Sequence, residues 1–268
     1  MKSIIRTGAI LLTGFLSLTM YAQNNVQELV VPLSDPGKPG TLQVNIIYGS
    51  IKVSGTNAKD VIIHVSSEQK KVEDSNKNGM RKIPNNSFGI TAEEDNNIVK
   101  VGTDLRNKDV VLEIQVPQNF NLKLRDVNNG NISVENVNGE MELSHVNGDI
   151  TLTGISGSVI AGTTNGNVKA TFKSITPDTP MSFTSFNGNV DVTFPPDTKA
   201  SAKMMSGMGE IYTDFDMAMK SSPVKEEKNK EGGVYKVSIE KWMLGDINGG
   251  GPEMTFKNFN GDIFIRSK

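Results

Sequence analysis

A short phrase recurs every nine residues in the middle of the chain, and this period constrains the fold more than any other feature. The phrase is Asn-Gly or Ser-Gly, followed by one polar and one apolar residue. It begins at Asn129, Asn138, Asn147, Ser156 and Asn165. A fixed short period is typical of proteins built by stacking small structural units. The sequence therefore predicts a repeat protein.

The apolar residues inside each repeat indicate a short strand followed by a bend. Counted from the repeat glycine, they fall at positions +2, +4 and +7, as in Ile150, Leu152 and Ile155 after Gly148. An interval of two is typical of a strand, because successive side chains point to opposite faces. The longer interval before +7 breaks that alternation, so each repeat is predicted to bend there and to turn again at the Asn-Gly corner.

Two repeats are predicted to form one coil of an all-β solenoid, because nine residues are too few to enclose a packed interior. In such a parallel β-helix-like stack, Gly130, Gly148 and Gly166 should form one column, and Gly139 and Gly157 a second. The intervals from Gly166 to Gly188 and from Gly188 to Gly209 are 22 and 21 residues, and each is interpreted as one longer coil. The fold class is thus a β-solenoid of degenerate repeats of about 9 and 18–22 residues. The same phrase returns at Asn260-Gly261, and a similar one, with Tyr48 in place of Asn, occurs at Gly49.

An antiparallel meander is the alternative architecture, because Asn-Gly is also the strongest signal for a two-residue hairpin. In that hairpin the polar residues Asn136 and His145 would share a face with Met141 and Ile150, which the apolar pattern disfavours. A three-residue loop with a bulge would repair the register, so the meander stays open.

The first 22 residues are predicted to be a secretory signal peptide. Lys2 and Arg6 form a basic start, residues 10–18 are mostly apolar, and Ala22 closes a cleavage site of the small-residue type. A retained N-terminal anchor is the alternative. Residues 23–268 are predicted to form a single β-solenoid domain, with polar loop insertions near residues 66–87 and 225–233. No later apolar run approaches the ~18 residues of a membrane span.

Composition excludes several classes of site and partner. The chain has no cysteine, so it has neither disulfides nor thiolate metal ligands. Loss of Lys2 and Arg6 with the signal peptide would reduce the 28 basic residues to 26, against 30 acidic ones. Because phosphate binding needs clustered lysine and arginine, nucleic acid is not an expected partner.

No catalytic, cofactor-binding or metal site is predicted. His64 lies in an alternating strand, and His145 is interpreted as a solvated corner residue, so a triad with Ser144 and Asp149 is rejected. The +1 position lacks the regular Asp of calcium-binding nonapeptide repeats. A corner role is preferred for Asp149, Asp246 and Asp262, because each directly follows a glycine. Carboxylate-pair chemistry stays open for the acids spread over the coils: Asp149, Asp191, Asp214, Asp216, Asp246 and Asp262. The aromatic residues that could form a binding platform are Phe183, Phe186, Phe194, Tyr212 and Trp242.

Several longer motifs resemble the DUF4097 family, the "putative adhesin" group of β-strand-repeat proteins in bacterial envelopes. They are the Val-Pro and Phe-Pro strand ends, the Asn-Gly-Asp-Ile corners, the segment from Thr184 to Pro195, and the ending from Gly250 to Ile265. The resemblance extends from Tyr48 to the C-terminus, and the signal peptide is similar to those of Bacteroidetes exports. It implies a β-solenoid-like fold and an envelope location, and it brings no catalytic residues.

The sequence thus favours an exported, non-enzymatic, adhesin-like or structural module located in the periplasm, at the cell surface or outside the cell. Its expected partner is an envelope or extracellular protein or glycan. Two alternatives remain: a polysaccharide-binding or polysaccharide-cleaving β-helix, and a periplasmic scaffold or envelope-stress signalling accessory. Two or more carboxylates gathered with an aromatic platform on one face would favour the first alternative.

Overall fold

A computed structural model describes residues 26–67, 89–103, 109–221 and 242–268. The predicted signal peptide and the insertion at 225–233 lie outside these residues, as does all of the insertion at 66–87 except its first two positions. Within the described residues the protein contains strands and no helix. The strands are β1 (Gln27–Val31), β2 (Gly40–Asn45), β3 (Gly49–Thr56), β4 (Val61–Ser66), β5 (Ile90–Asp95), β6 (Ile98–Thr103), β7 (Val110–Pro117), β8 (Phe120–Arg125), β9 (Ile132–Glu135), β10 (Asn138–Asn147), β11 (Ile150–Asn165), β12 (Val168–Ile175), β13 (Met181–Asn187), β14 (Val190–Phe194), β15 (Ala200–Ser206), β16 (Ile211–Thr213), β17 (Met217–Lys220), β18 (Met243–Ile247), β19 (Glu253–Asn260) and β20 (Ile263–Ser267).

These strands form two ladders that enclose one core, as expected for a β-solenoid. The first ladder runs β5–β6–β2–β8–β10–β11–β13–β19–β15–β18–β17. The second runs β1–β4–β7–β3–β9–β11–β12–β14–β20–β16. Strand β11 belongs to both, because the chain turns a corner within it. Pairing is parallel through the middle of each ladder. Antiparallel strands cover both ends of the first ladder and one end of the second.

The inward side chains of the two ladders pack against each other. Phe183 of β13 meets Phe194 of β14 edge to face, with ring centroids 6.2 Å apart, so the opposing ladders are in direct contact. Ile150 and Leu152 are buried, whereas Thr151 between them is half-buried on the outer face. The +2 and +4 positions therefore supply the core, as the alternation predicted.

A column of glycines runs along one corner of the solenoid and confirms the predicted stacking. A Cβ atom on Gly148 would overlap the carbonyl oxygen of Gly130, and one on Gly166 would overlap that of Gly148. Gly139 pairs with Gly157 in parallel register, so the antiparallel meander is wrong. The full column, in spatial order, is Gly49, Gly130, Gly148, Gly166, Gly188, Gly261 and Gly209. Only glycine lets successive backbones approach this closely.

The order of the coils in space differs from their order in sequence at both ends. Gly261 lies between Gly188 and Gly209, so the coil of β19 and β20 is inserted between that of β13 and β14 and that of β15 and β16. Likewise, β2 lies between β6 and β8, and β3 lies between β7 and β9. Residues 188–209 therefore pass once around the solenoid, through β14 and β15, but they advance by two layers instead of one.

The two corners of a coil are built differently, which corrects the prediction for +7. In the second ladder, Asn136 and Gly154 occupy +6 with φ of 56° and 59°, and this left-handed residue turns Val137 and Ile155 inward. In the first ladder the strand stays extended through +6. There His145 is buried and Val146 at +7 is only half-buried.

Side chains at the glycine corner form two hydrogen-bonded rows along the solenoid, as expected for stacked Asn residues. In one, each Asn amide donates to the next: Asn147 to Asn128 at 2.6 Å, Asn165 to Asn147 at 2.7 Å, and Asn187 to Asn165 at 2.7 Å. In the other, the oxygen at +1 accepts a backbone N–H from the adjacent coil. These +1 acceptors are Asn131, Asp149, Asn167, Asn189 and Asp262.

Candidate functional site

The outer face of the second ladder carries an aromatic and charged patch near the end formed by β16. Register places Asp191 of β14, Phe264 of β20 and Tyr212 of β16 in one row across three adjacent strands. Their side chains point outward because the alternate residues, such as Val190, Ile263 and Ile265, fill the core. Together with Arg266 and Asp214, these residues are called the aromatic–charged patch.

The centre of the aromatic–charged patch is a stack of three planar groups. The rings of Tyr212 and Phe264 are nearly parallel, with an interplanar angle of 12° and centroids 5.2 Å apart. The guanidinium of Arg266 lies 4.8 Å from the Phe264 centroid, within cation–π range. Within the described residues, β16 pairs with β20 alone. Tyr212, which is 51% exposed, thus ends the stack at the edge of the ladder.

The two carboxylates of the patch are both committed to structural contacts. Arg266 donates from Nε to Asp191 Oδ1 at 2.7 Å and from Nη2 to Oδ2 at 3.3 Å. Asp214 Oδ1 accepts the backbone N–H of Ser267. The contact with Asp191 raises the pKa of Arg266, and Asp214 acts in the same direction. Both acids therefore act as hydrogen-bond acceptors in the patch.

The other acids considered from the sequence are not gathered into a second site. Asp149 and Asp262 accept backbone N–H groups at the glycine corner, which is the corner role expected for them. Asp246 lies in β18, where it binds Lys220 Nζ at 2.7 Å and Ser201 Oγ at 2.9 Å, and the Lys220 contact lowers its pKa. Asp216 is exposed.

The candidate aromatic residues divide between the core and the surface. Phe183 and Phe194 are buried, so they are structural. Phe186 stacks on Phe259 with centroids 4.9 Å apart, and both rings are about half exposed on the first ladder. Trp242 lies beside Lys203, whose Nζ is 4.7 Å from the ring centroid. Sequence reasoning missed Phe264 and Arg266, because only the register of β20 against β14 and β16 brings them to Tyr212.

The histidines do not form a catalytic group. His145 faces the core and Ser144 faces solvent, so the rejected triad is absent, but the interpretation of His145 as a solvated corner residue is wrong. Its Nε2 donates to the Gly130 carbonyl at 2.8 Å. His64 Nε2 lies 2.9 Å from Glu28 Oε2 near the surface. In the part of the chain that is described, no group of three or more His, Asp or Glu side chains could hold a metal ion.

Comparison with known proteins finds a family model that matches the middle of the chain. The fold is a β-solenoid with a glycine corner, and residues 118–248, just under half of the chain, match the family model described as Toastrack DUF4097. The family resemblance inferred from the sequence is thereby confirmed. No curated protein matches the chain significantly.

Two solved structures are similar over most of the chain. A "putative cell adhesion protein" from Clostridium sporogenes ATCC 15579 aligns with 14% identity and a TM-score of 0.42, covering 91% of this chain and 99% of that one. A "putative adhesin" from Bacteroides fragilis NCTC 9343 aligns with 8% identity and a TM-score of 0.30, covering 91% of this chain and 97% of that one. Among the described residues there is no helix with the length and apolar character needed to cross a membrane.

Proposed function

We propose that the protein is an exported, non-enzymatic β-solenoid of the cell envelope that binds partners through its outer faces, in the manner of an adhesin. The observation that carries this proposal is the aromatic–charged patch, whose exposed ring ends a stack held rigid by Arg266. Rigid aromatic groups supply contact area with little loss of conformational entropy on binding. A regular solenoid face also suits several weak contacts made at once.

A neutral saccharide polymer is the partner whose chemistry fits the patch best. Tyr212 and Phe264 offer ring faces to the C–H groups of a pyranose. Asp191 and Arg266 offer an acceptor and a donor side by side to its hydroxyl groups. The charges of this pair cancel, and Asp214 leaves the patch with one negative charge, which disfavours an anionic polymer. These features of the patch support polysaccharide binding. They do not support polysaccharide cleavage.

The absence of catalysis is part of the same proposal. Hydrolysis of a glycoside needs one carboxylic acid able to donate a proton and a second carboxylate beside it. In the patch, Arg266 holds Asp191 as an acceptor and a backbone N–H holds Asp214. Purified protein incubated with envelope polysaccharides should release neither new reducing ends nor unsaturated products. Turnover that disappears in Asp191→Asn or Asp214→Asn would overturn this part of the proposal.

Binding is tested with Tyr212→Ala in the full chain against immobilised neutral envelope polysaccharides. Loss of a stacking ring should weaken binding by about tenfold, equivalent to about 1.4 kcal/mol. The matched control is Ile160→Ala, which removes an exposed apolar side chain from the first ladder and should leave affinity unchanged. Equal affinities of wild type and Tyr212→Ala would refute the assignment of this patch.

Export is tested in the native host by separating periplasm, membranes and medium. The proposal expects the mature chain in the envelope or the medium. Recovery of the protein in the cytoplasm would contradict it. Recovery in the periplasm, bound to a protein and to no glycan, would favour the scaffold alternative.

A further inference from the structure

A column of polar side chains, four of them buried and one half-buried, runs through five neighbouring coils of the solenoid. Every member donates a hydrogen bond to a glycine carbonyl of the preceding coil. The bonds are His145 Nε2 to Gly130 at 2.8 Å, Thr163 Oγ1 to Gly148 at 2.9 Å, Ser185 Oγ to Gly166 at 2.8 Å, Asn258 Nδ2 to Gly188 at 3.3 Å, and Ser206 Oγ to Gly261 at 3.2 Å. We call this set the polar column. Each of its members is a hydrogen-bond donor to a glycine carbonyl.

Asp126 occupies the next place in the polar column. Its neighbour Arg125 pairs with Ser144, so Asp126 lies beside His145, and the glycine next to Gly130 is Gly49. The Asp126 side chain is fully buried. Its Oδ1 accepts the Val127 N–H at 2.7 Å, whereas its Oδ2 has no hydrogen-bond partner. An ionised carboxylate at this position cannot donate the hydrogen bond that the other members of the polar column make, because it has no proton.

His145 does not donate a hydrogen bond to Asp126. Its Nδ1 accepts the Val146 N–H at 2.9 Å, and its Nε2 donates to Gly130. Both ring nitrogens are therefore engaged by backbone groups. Its Nε2 lies 3.7 Å from Asp126 Oδ2, beyond hydrogen-bond distance. An ionised Asp126 would thus be buried with no hydrogen bond to Oδ2, which is unfavourable.

We propose that Asp126 is a buried proton-binding site, in which the carboxylic acid donates from Oδ2 to the Gly49 carbonyl and completes the polar column. Burial raises the pKa of Asp126 from 3.8 to about 6, against the opposing effects of His145 and of the N–H groups of Val127 and Asn128. In the described structure, His145 is the one titratable side chain among these influences. Ile46 of the adjacent coil lies at the corresponding position, and its backbone N–H donates a hydrogen bond to the Arg125 carbonyl.

The sign of the pH dependence follows from the raised pKa. The stabilisation by the bound proton is complete below the unfolded-state value of 3.8 and is lost as the pH rises through about 6. Between pH 3.8 and about pH 6, the unfolding equilibrium constant should rise by up to about tenfold per pH unit. Above about pH 6 it should level off.

The test compares wild type with Asp126→Asn by denaturant unfolding of the full chain from pH 4.5 to 7.5. An asparagine donates from Nδ2 at every pH, as Asn258 does in its own coil. The ratio of the wild-type to the variant unfolding constant should therefore rise toward neutral pH. The control is Asp149→Asn at the exposed corner, whose amide oxygen can still accept the Asn167 N–H. This variant should keep the wild-type pH profile.

Infrared spectra give an independent readout. Wild type below pH 6 should show the C=O stretching band of a buried carboxylic acid, and Asp126→Asn should lack that band. Parallel unfolding profiles of the two proteins, or spectra without the band, would overturn the proposal. Failure of Asp126→Asn to fold would overturn it as well, because a side chain that donates at this place is predicted to be accommodated.

Discussion

Replacing Gly148 with alanine tests the close stacking of the coils directly. The new Cβ would overlap the Gly130 carbonyl oxygen and would meet the His145 ring. Neither neighbour can move freely, because these two groups are hydrogen-bonded to each other at 2.8 Å. The two coils would have to separate locally.

The expected cost combines two contributions. Overpacking in a well-packed interior costs about 1–3 kcal/mol, and here the obstructing atom belongs to the backbone, which favours the upper end. Loss of the bond from His145 to Gly130 adds about 1 kcal/mol. We therefore expect Gly148→Ala to lower the free energy of unfolding by about 3–4 kcal/mol.

Gly102 provides the matched control. It also lies in a strand, β6, but a Cβ at this position meets nothing within 4 Å, and its backbone is not left-handed. Gly102→Ala should therefore be neutral, or stabilising by up to about 1 kcal/mol through the unfolded state. Both variants are measured by urea titration followed by circular dichroism. Equal effects, or a neutral Gly148→Ala, would refute the close backbone contact in the glycine column.

Two further predictions concern the core and the N-terminus. Leu152→Ala should cost about 2–5 kcal/mol because Leu152 is buried, whereas Thr151→Ala on the outer face should stay within about 0.5 kcal/mol; equal costs in a denaturant titration would contradict the register. Protein purified from the native host should lack Met1–Ala22 in an intact-mass measurement, and a mass that includes those residues would favour the retained anchor.

The sequence predicted the repeated part of the fold because stacking imposes a rule on each repeat separately. A glycine is needed wherever two coils touch at the corner, and an aliphatic residue wherever a side chain points inward. Gly148, Ile150 and Leu152 satisfy these rules locally, so their column and their burial could be inferred without knowing which coils are neighbours.

The order of the coils could not be predicted in the same way. Gly188, Gly209 and Gly261 carry similar local signals, and nothing in those signals says which pair is adjacent. The burial of His145 was missed for a related reason. The nine-residue period treats both corners of a coil as equal, whereas the left-handed residue at +6 occurs only in the second ladder.

The aromatic–charged patch lay beyond sequence reasoning because its members are far apart in the chain. Tyr212 was a candidate from its residue type alone. Its neighbours Phe264 and Arg266 come from the last strand, and Asp191 comes from an earlier coil. Parallel register brings them together, and that register depends on the same unpredicted insertion of the final coil.

The insertion of that final coil has a consequence for how the chain is made. Synthesis proceeds from the N-terminus, so β13 to β16 are complete before β19 and β20 exist. Until the last residues emerge, β13 and β14 are paired on one side only, with β11 and β12, and the edges that later receive β19 and β20 are open to wrong partners. Most repeat arrays can lengthen one unit at a time. Here a chain cut short before residue 242 would lose an interior layer and with it the contact between the layers on either side, so the stack can close only after β19 and β20 have been made.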